Sequence, residues 1–584
     1  MDLFERAAKS GISPVFIDGN GQRRDADPQA LLSVLDALDH PVQDGALESL
    51  NAAFKSDDMP HRAYDGDFGR RWLLAVQLYG IRSQRNWGIG DFTDLQSLLA
   101  WASGAGAAGI GLNPLHALFD DHADDCSPYS PNSRLFLNSI YIDIEQVPEL
   151  PPGFRAKHGA DIERLRQADL VDYDGVADLK TKALREAFKN FKSKTTLKRK
   201  TDFEAFRASG GALLSRFACF EFLRRKYPGP WWEWPAPWTR PDDTALASLR
   251  RGPDNLQIEY FEFVQWCADR QLAACASLAE QLGMPVGLYL DIAVGVKADG
   301  FDAWNEQIAI ARQLSVGAPP DQLNTAGQDW GLAGFNAAGL EHRAFAPFRD
   351  MLRASMRYAG AIRLDHVLGL NRLYVVPHGY APHQGVYIQM PFEEMLEVAA
   401  QESVAHRCIV IGEDLGTVPD GFRERLADRA IWSYRVMIFE RDGRGDFIGP
   451  DRYPKNALVT FSTHDLPTFA GWRSAHDIDV KLMLGMDPGE TSEQRREALA
   501  RLRMAVGDDR DFTFGAVLST LSNTPSRLLG VSIEDLLGVA DQANVPGTID
   551  EHPNWRRRLP VAIELWGERI DPGHLRDILK ERIV

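Results

Sequence analysis

Cysteine is scarce in this chain of 584 residues: Cys126, Cys219, Cys267, Cys275 and Cys408 are the only five, and none forms a Cys-x-x-Cys pair. That scarcity argues against a disulfide framework and against a thiolate metal cage. Long apolar runs are missing as well. No stretch approaches the roughly 18 to 20 residues that a membrane span needs. Met1-Asp2-Leu3-Phe4-Glu5-Arg6 puts charges where a secretion signal would need its apolar segment. The expectation is a cytoplasmic protein with no membrane partner. An excess of positive charge is missing too: 65 Lys and Arg stand against 82 Asp and Glu, a net charge of −17. This balance disfavours nucleic acid and anionic membranes and leaves neutral substrates such as sugars open. Neither an internal repeat nor a low-complexity tract interrupts the chain.

What is present is a globular composition, 44% hydrophobic, enough for a heavily inserted barrel or more than one domain. Apolar spacing at helical period through Leu31, Leu32, Val34, Leu35 and Leu38 makes residues 1–65 a helical lead-in. Eight apolar segments then read as strands: Trp72 to Leu78, Ile110 to Leu115, Pro285 to Leu290, Ile362 to Asp365, Cys408 to Gly412, Tyr434 to Phe439, Leu458 to Phe461 and Arg527 to Ile533. Helical stretches separate most of them, the pattern of an α/β fold of the (β/α)8 TIM-barrel type over residues 66–584. The interval between the second and third strands is too long for one crossover. Its helical patterns, such as Leu179 to Phe191 and Leu213 to Arg225, indicate an inserted helical subdomain at 145–260, above the C-terminal face of the barrel. The cationic residues Lys189, Lys192, Lys194, Lys198, Arg199 and Lys200 read as a solvated helical face. The chain after Asp465 suffices for a last strand, its helices and a late loop, so no C-terminal β-sandwich is expected.

Three of the strands end in acids: Ile362-Arg363-Leu364-Asp365-His366, Ile409-Val410-Ile411-Gly412-Glu413-Asp414 and Phe461-Ser462-Thr463-His464-Asp465. These acids lie about fifty residues apart, room for a loop, a helix and another strand between them. Each therefore belongs to a different strand of one barrel, at the tips where barrel enzymes do their chemistry. Three converging acids suit glycosidic-bond chemistry, which needs a carboxylate nucleophile, a protonated acid and negative charge near an oxocarbenium-like transition state. Arg363 lies two residues before Asp365 on the same strand face, placed to hold its pKa down. Glu413 and Asp414 compete for the acid role, and because successive strand residues point to opposite faces, one of them alone faces the pocket.

These motifs resemble the 4-α-glucanotransferases called amylomaltase or disproportionating enzyme, relatives of the α-amylases. The resemblance rests on Arg363-Leu364-Asp365-His366, Gly412-Glu413-Asp414-Leu415-Gly416 and Thr463-His464-Asp465-Leu466-Pro467-Thr468. In the same order come Trp87-Gly88-Ile89-Gly90-Asp91-Phe92, Ser127-Pro128-Tyr129-Ser130, Gly317-Ala318-Pro319-Pro320-Asp321, Gly327-Gln328-Asp329-Trp330-Gly331, Pro546-Gly547-Thr548 and Pro553-Asn554-Trp555-Arg556. It runs from residue 64 to the C-terminus. Larger bacterial members carry a β-sandwich between lead-in and barrel, which this sequence is expected to lack.

The resemblance implies transfer of α-1,4-glucan segments between maltooligosaccharides, with glycogen, starch or maltodextrin as the wider substrates, no cofactor and no metal. Asp365 would be the nucleophile, Glu413 the general acid and then base, and Asp465 the group that binds ring hydroxyls and favours the distorted sugar. His366 and His464 would donate hydrogen bonds to the same ring. Tyr129, with Ser127 before it, would be the stacking platform at the donor sugar. The segment 317–336 would arch over the acceptor side as a mobile loop, with Asp321, Gln328 and Trp330 as contacts. Asp291, Asn544 and Asn554 are further candidates for the substrate groove. Trp231, Trp232, Trp234 and Trp238 form either a second sugar surface or a packed hinge.

Three rival readings remain at this stage: an amylase-type α-1,4-glucan hydrolase, a barrel hydrolase with His366, Asp365, His464 and Asp465 around a divalent metal, and a catalytically silent carbohydrate-binding protein. Against the metal, no His-x-His pair or similar ligand cluster stands in the sequence.

Overall fold

Eight strands form a closed parallel ring. They are β1 (Arg71–Val76), β2 (Gly109–Leu112), β3 (Gly287–Ile292), β4 (Ala361–Leu364), β5 (Ile409–Gly412), β6 (Trp432–Val436), β7 (Ala457–Thr460) and β8 (Leu528–Ser532), and they pair in chain order with β8 returning to β1. All eight overlap the segments read as strands from the sequence. The structure, a computed structural model, describes residues 2–38, 61–321, 324–507 and 512–583. Residues 39–60 of the lead-in and positions 322–323 of the 317–336 segment lie outside the described residues. Among the described residues no helix is long and apolar enough to cross a membrane.

The two-residue alternation of a strand decides what enters the barrel. Leu73, Ala361, Ile409, Ile411, Trp432, Leu458 and Leu528 make an interior cluster, with Tyr289 and Tyr434 packed on it. The intervening Ile362, Leu364, Val410 and Val459 belong to the larger core between barrel and helices. Continuing the inward series by two residues leads from Ala361 to Arg363 and Asp365, and from Ile411 to Glu413. The apolar floor and the acids are thus one series on each strand, changing chemistry at the mouth.

Between β2 and β3 lie the long helices Tyr173–Lys194, Leu197–Lys226 and Asn255–Gln281. Lys180 ties the first of them to the segment that follows β2 by donating to the carbonyls of Ile140 at 2.6 Å and Ile142 at 2.8 Å. In the cationic stretch, Lys192 pairs with Glu259 and Arg199 with Glu149, each at 2.7 Å. Trp231 and Trp234 are buried and Trp232 is at the surface under Arg312. Two of the four tryptophans thus belong to the core, and Trp238 is partly buried against it.

A second sheet stands beside the mouth. It is five-stranded and antiparallel, in the order Ile12–Ser13, Val386–Gln389, Arg372–Pro377, Leu314–Ala318, Gln328–Leu332. The segment expected as a loop at 317–336 thus includes strand, Gln328–Leu332 pairing antiparallel with Leu314–Ala318 as a hairpin. Gly317 reads as loop punctuation in the sequence but serves a close approach: a Cβ there would stand 2.1 Å from the Gln328 carbonyl. The lead-in contributes helices Leu3–Lys9 and Pro28–Leu38 and also three short strands, Ile12–Ser13, Val15–Ile17 and Arg23–Asp25.

Candidate active site

Arg363 is the charge at the centre. Register pairs it with Asp291 on β3 and Ile411 on β5, so its guanidinium lies in the strand-tip layer. Its Nη1 donates to both carboxylate oxygens of Asp291 at 2.9 Å and stands 2.8 Å from Asp365 Oδ1. Burial opposes the charge on Arg363, but Asp291 and Asp365 keep it protonated well above the ordinary range. The Tyr129 hydroxyl donates to Oδ2 of the same carboxylate at 2.5 Å. One strand-tip carboxylate therefore orients both the arginine and the tyrosine.

Glu413 is held beside Asp365 by the backbone. The amide of His366 donates to Glu413 Oε2 and that of Leu415 to Oε1, each at 2.9 Å. His366 takes a left-handed backbone, φ 47°, a costly conformation of the kind that clusters at functional sites. Burial pushes Glu413 up to about 7, against the pull of Arg363 and the two amides and with the push of Asp365. Asp414 points the other way: it is fully buried and accepts from Arg423 Nε at 2.7 Å, Ser433 Oγ at 2.6 Å and the Tyr434 amide at 3.1 Å. It fastens the wall, while Glu413 turns to the amides of His366 and Leu415.

The expectation that Arg363 keeps the Asp365 pKa low is corrected by the balance of effects. Burial raises it, Arg363 lowers it, Asp291 raises it again, and the result is about 6. The desolvation cost of a strand-tip carboxylate outweighs one guanidinium that it shares with a second acid.

Asp465 sits opposite. Asn544 Nδ2 donates to its Oδ1 at 2.6 Å, and His464 Nε2 stands 3.3 Å from Oδ2. Burial would raise Asp465, but the charge and hydrogen bond of His464 outweigh it and lower the pKa, while His464 is raised by the same pair against its own burial. His366 differs: burial, with Arg363 and Arg372 nearby, lowers it to about 4, which leaves it neutral.

Tyr129 stacks on His464 with ring centroids 4.7 Å apart and an interplanar angle of 27°, and Ser127 Oγ accepts from its amide at 3.3 Å. A cavity of about 910 Å³, counted to its open mouth, sinks into the barrel past Tyr129, Tyr289, Asp291, Arg363, Tyr434 and His464. Trp330 reaches the site from the hairpin, its ring edge-on to His366 at 5.3 Å and its indole N–H donating to Gln328 Oε1 at 3.1 Å. Asp321 stands apart at the hairpin tip, where it accepts from the Asn324 amide at 2.6 Å. Asn554 acts from behind: it accepts from the Val545 amide at 2.9 Å and donates to Thr548, shaping the loop that carries Asn544.

Trp555, to which the sequence assigns no role, stands against the site. Its ring lies 5.4 Å from both Tyr129 and His464, and its backbone is left-handed at φ 59°. Its carbonyl accepts from the Tyr173 hydroxyl of the inserted helices at 2.7 Å. Its motif, Pro553-Asn554-Trp555-Arg556, carries the resemblance but not this placement; the fold brings the ring beside Tyr129. Among the described residues no group of three or more His, Cys, Asp or Glu is arranged to hold a metal ion.

Residues 76–563, from the end of β1 through β8, match the model of the 4-alpha-glucanotransferase family. A 4-alpha-glucanotransferase of Haemophilus influenzae is 34% identical over 528 residues, covering 84% of this chain and 75% of that protein. One from Mycobacterium bovis is 36% identical over 549 residues, 88% of this chain and 74% of the relative. The crystal structure of amylomaltase from Corynebacterium glutamicum superposes with a TM-score of 0.83 at 26% identity, over 100% of this chain and 99% of the other. An amylomaltase from Streptococcus agalactiae, solved with acarbose, shares the fold at a TM-score of 0.73 and 21% identity, over 87% and 98%. A family match over residues 76–563, carried by relatives above 30% identity along most of their length, settles the affiliation: the chain belongs to the 4-alpha-glucanotransferase family.

Proposed function

We propose that the site disproportionates α-1,4-glucans by a retaining double displacement with Asp365 as nucleophile and Glu413 as acid and base. In the first step Glu413 gives its proton to the departing glycosidic oxygen while an Asp365 oxygen bonds to C1, so the C1–O bond breaks and a glucosyl ester forms. In the second, the 4-hydroxyl of an acceptor chain returns a proton to Glu413 as its oxygen attacks C1 and the ester breaks. Asp465, with Asn544 and His464, grips the ring hydroxyls of the donor sugar. Tyr129 offers its face to the ring, and neutral His366 can both donate and accept.

The observation that carries this reading is the geometry of two buried acids on neighbouring strands, Asp365 2.8 Å from Arg363 and Glu413 held by the His366 amide at 2.9 Å. With Asp365 near 6 and Glu413 near 7, a neutral pH favours an ionised nucleophile beside a carboxyl group still part-protonated. Transfer in preference to hydrolysis needs an acceptor already in place and water kept out. We assign that to the hairpin side of the mouth, with Trp330 and Gln328 as contacts and Asp321 at its tip. The substrates in this reading are small and polymeric α-1,4-glucans.

The test is covalent trapping. The Glu413→Gln variant, given an α-maltosyl fluoride, forms the ester without needing an acid and lacks the base to release it. Intact-protein mass should then rise by one maltosyl group, located on the peptide containing Asp365. An adduct on another residue, or none, rejects the assignment.

A further inference from the structure

The lead-in lies outside residues 76–563, the part that matches the family, yet it is built into the sheet that carries the acceptor hairpin. Ile12–Ser13 pairs with Val386–Gln389 at the far edge of that sheet. Phe16 packs against both Tyr374 and Tyr387, with ring centroids 5.8 and 5.4 Å away and both contacts edge-on, and the Ser33 hydroxyl meets that of Tyr380 at 3.1 Å. From this anchorage the turn at 18–22 crosses over the sheet to the hairpin tip. Asp18, 1% exposed, stiffens the turn by accepting from the amides of Asn20 at 2.9 Å and Gln22 at 2.8 Å and from Arg24 Nε at 2.8 Å.

The contact itself is Gly19. Its amide donates to the Pro320 carbonyl at 3.0 Å, and a Cβ added to it would stand 2.5 Å from Asp321 Cβ and 3.0 Å from Asp321 Cα. Glycine is needed here for closeness of approach. The hairpin runs on from Pro320 and Asp321 to Trp330, whose ring abuts His366. His366 in turn supplies the amide that holds Glu413. We propose that the lead-in is a strut for the acceptor hairpin and that Gly19 is a positioning residue that sets acceptor affinity. A side chain there would push the tip away and misplace the acceptor without touching the donor sugar.

The proposal rests on the acceptor role given to the hairpin above, and the test separates the two. Gly19→Ala and Gly19→Val are compared with the intact chain in two assays: hydrolysis of α-maltosyl fluoride, which reads donor binding and ester formation, and transfer from that donor to glucose. Arg23→Ala, an exposed change in the same lead-in hairpin, is the control. The strut predicts a stepwise rise in the KM for glucose, reaching about tenfold for the valine variant, with fluoride hydrolysis and its kcat within about twofold and the control unmoved. An unchanged acceptor KM in Gly19→Val overturns it, and so does a parallel fall in donor cleavage or an equal effect of Arg23→Ala. If the valine variant does not fold, the alanine variant decides by the same readings. A wild-type enzyme that makes no transfer product defeats the transferase reading instead, whatever the Gly19 variants do.

Discussion

At the scale of single residues, the account depends on which carboxyl group holds a proton. The rate needs Asp365 ionised and Glu413 protonated. kcat/KM should therefore rise as pH climbs through about 6 and fall as it passes about 7, a narrow bell whose limbs belong to the coupled pair. With α-maltosyl fluoride as donor, whose leaving group needs no acid, Glu413→Gln should lose the alkaline limb of ester formation and keep the acid one. Asp365→Asn should cut turnover by about 10⁴-fold while sparing the fold; near-wild-type disproportionation would remove it as nucleophile. The raised pKa of Glu413 also has a sign for stability. Above pH 7 the folded chain must hold a buried carboxylate that the unfolded chain leaves in water, so Glu413→Gln should melt a few degrees higher at pH 8. That gain should shrink as pH falls through 7 and vanish below the unfolded value of 4.5; an equal gain at pH 4 would contradict it. The placement of these acids at strand tips was legible in the sequence because apolar residues two apart on a strand predict the direction of the acid that continues the series. The pKa of Asp365 was not, since the desolvation that overrides Arg363 is a property of the assembled mouth.

At the scale of elements, the barrel strands were legible and the second sheet was not, for one physical reason. Parallel strands covered on both faces are continuous apolar runs, as in Ile409-Val410-Ile411. The side sheet is assembled from strands of two to six residues drawn from three distant parts of the chain. None is long enough to show alternation, and Gly317 and Gly331 disguise two of them as loop. The hairpin they form makes its own prediction. Trp330→Ala removes the ring that abuts His366, and the share of ester intermediate passed to sugar instead of water should fall about five- to tenfold at unchanged donor cleavage. Equal loss of both reactions would make Trp330 a support for the nucleophile instead.

At the scale of the whole molecule, the inserted helices and the late segment meet behind Tyr129 and His464. Tyr173 holds the carbonyl of Trp555, Val171 donates to the Arg556 carbonyl at 2.8 Å, and Trp555 backs Tyr129 and His464. Removing one such hydrogen bond with Tyr173→Phe should cost about 1 kcal/mol and raise the donor KM a few-fold without altering the acceptor KM. A change confined to melting temperature would show that the insert steadies the fold without tuning the site. This convergence joins residues nearly four hundred positions apart, about 380 between Tyr173 and Trp555 by their numbering, and no local pattern reports it. The central claim, that this mouth passes glucan to sugar in preference to water, is met most directly by incubating the enzyme with maltotriose alone and following chain lengths and total reducing ends together. The account predicts glucose and a ladder of longer maltodextrins at a constant number of reducing ends; reducing ends that climb as maltotriose disappears would contradict it.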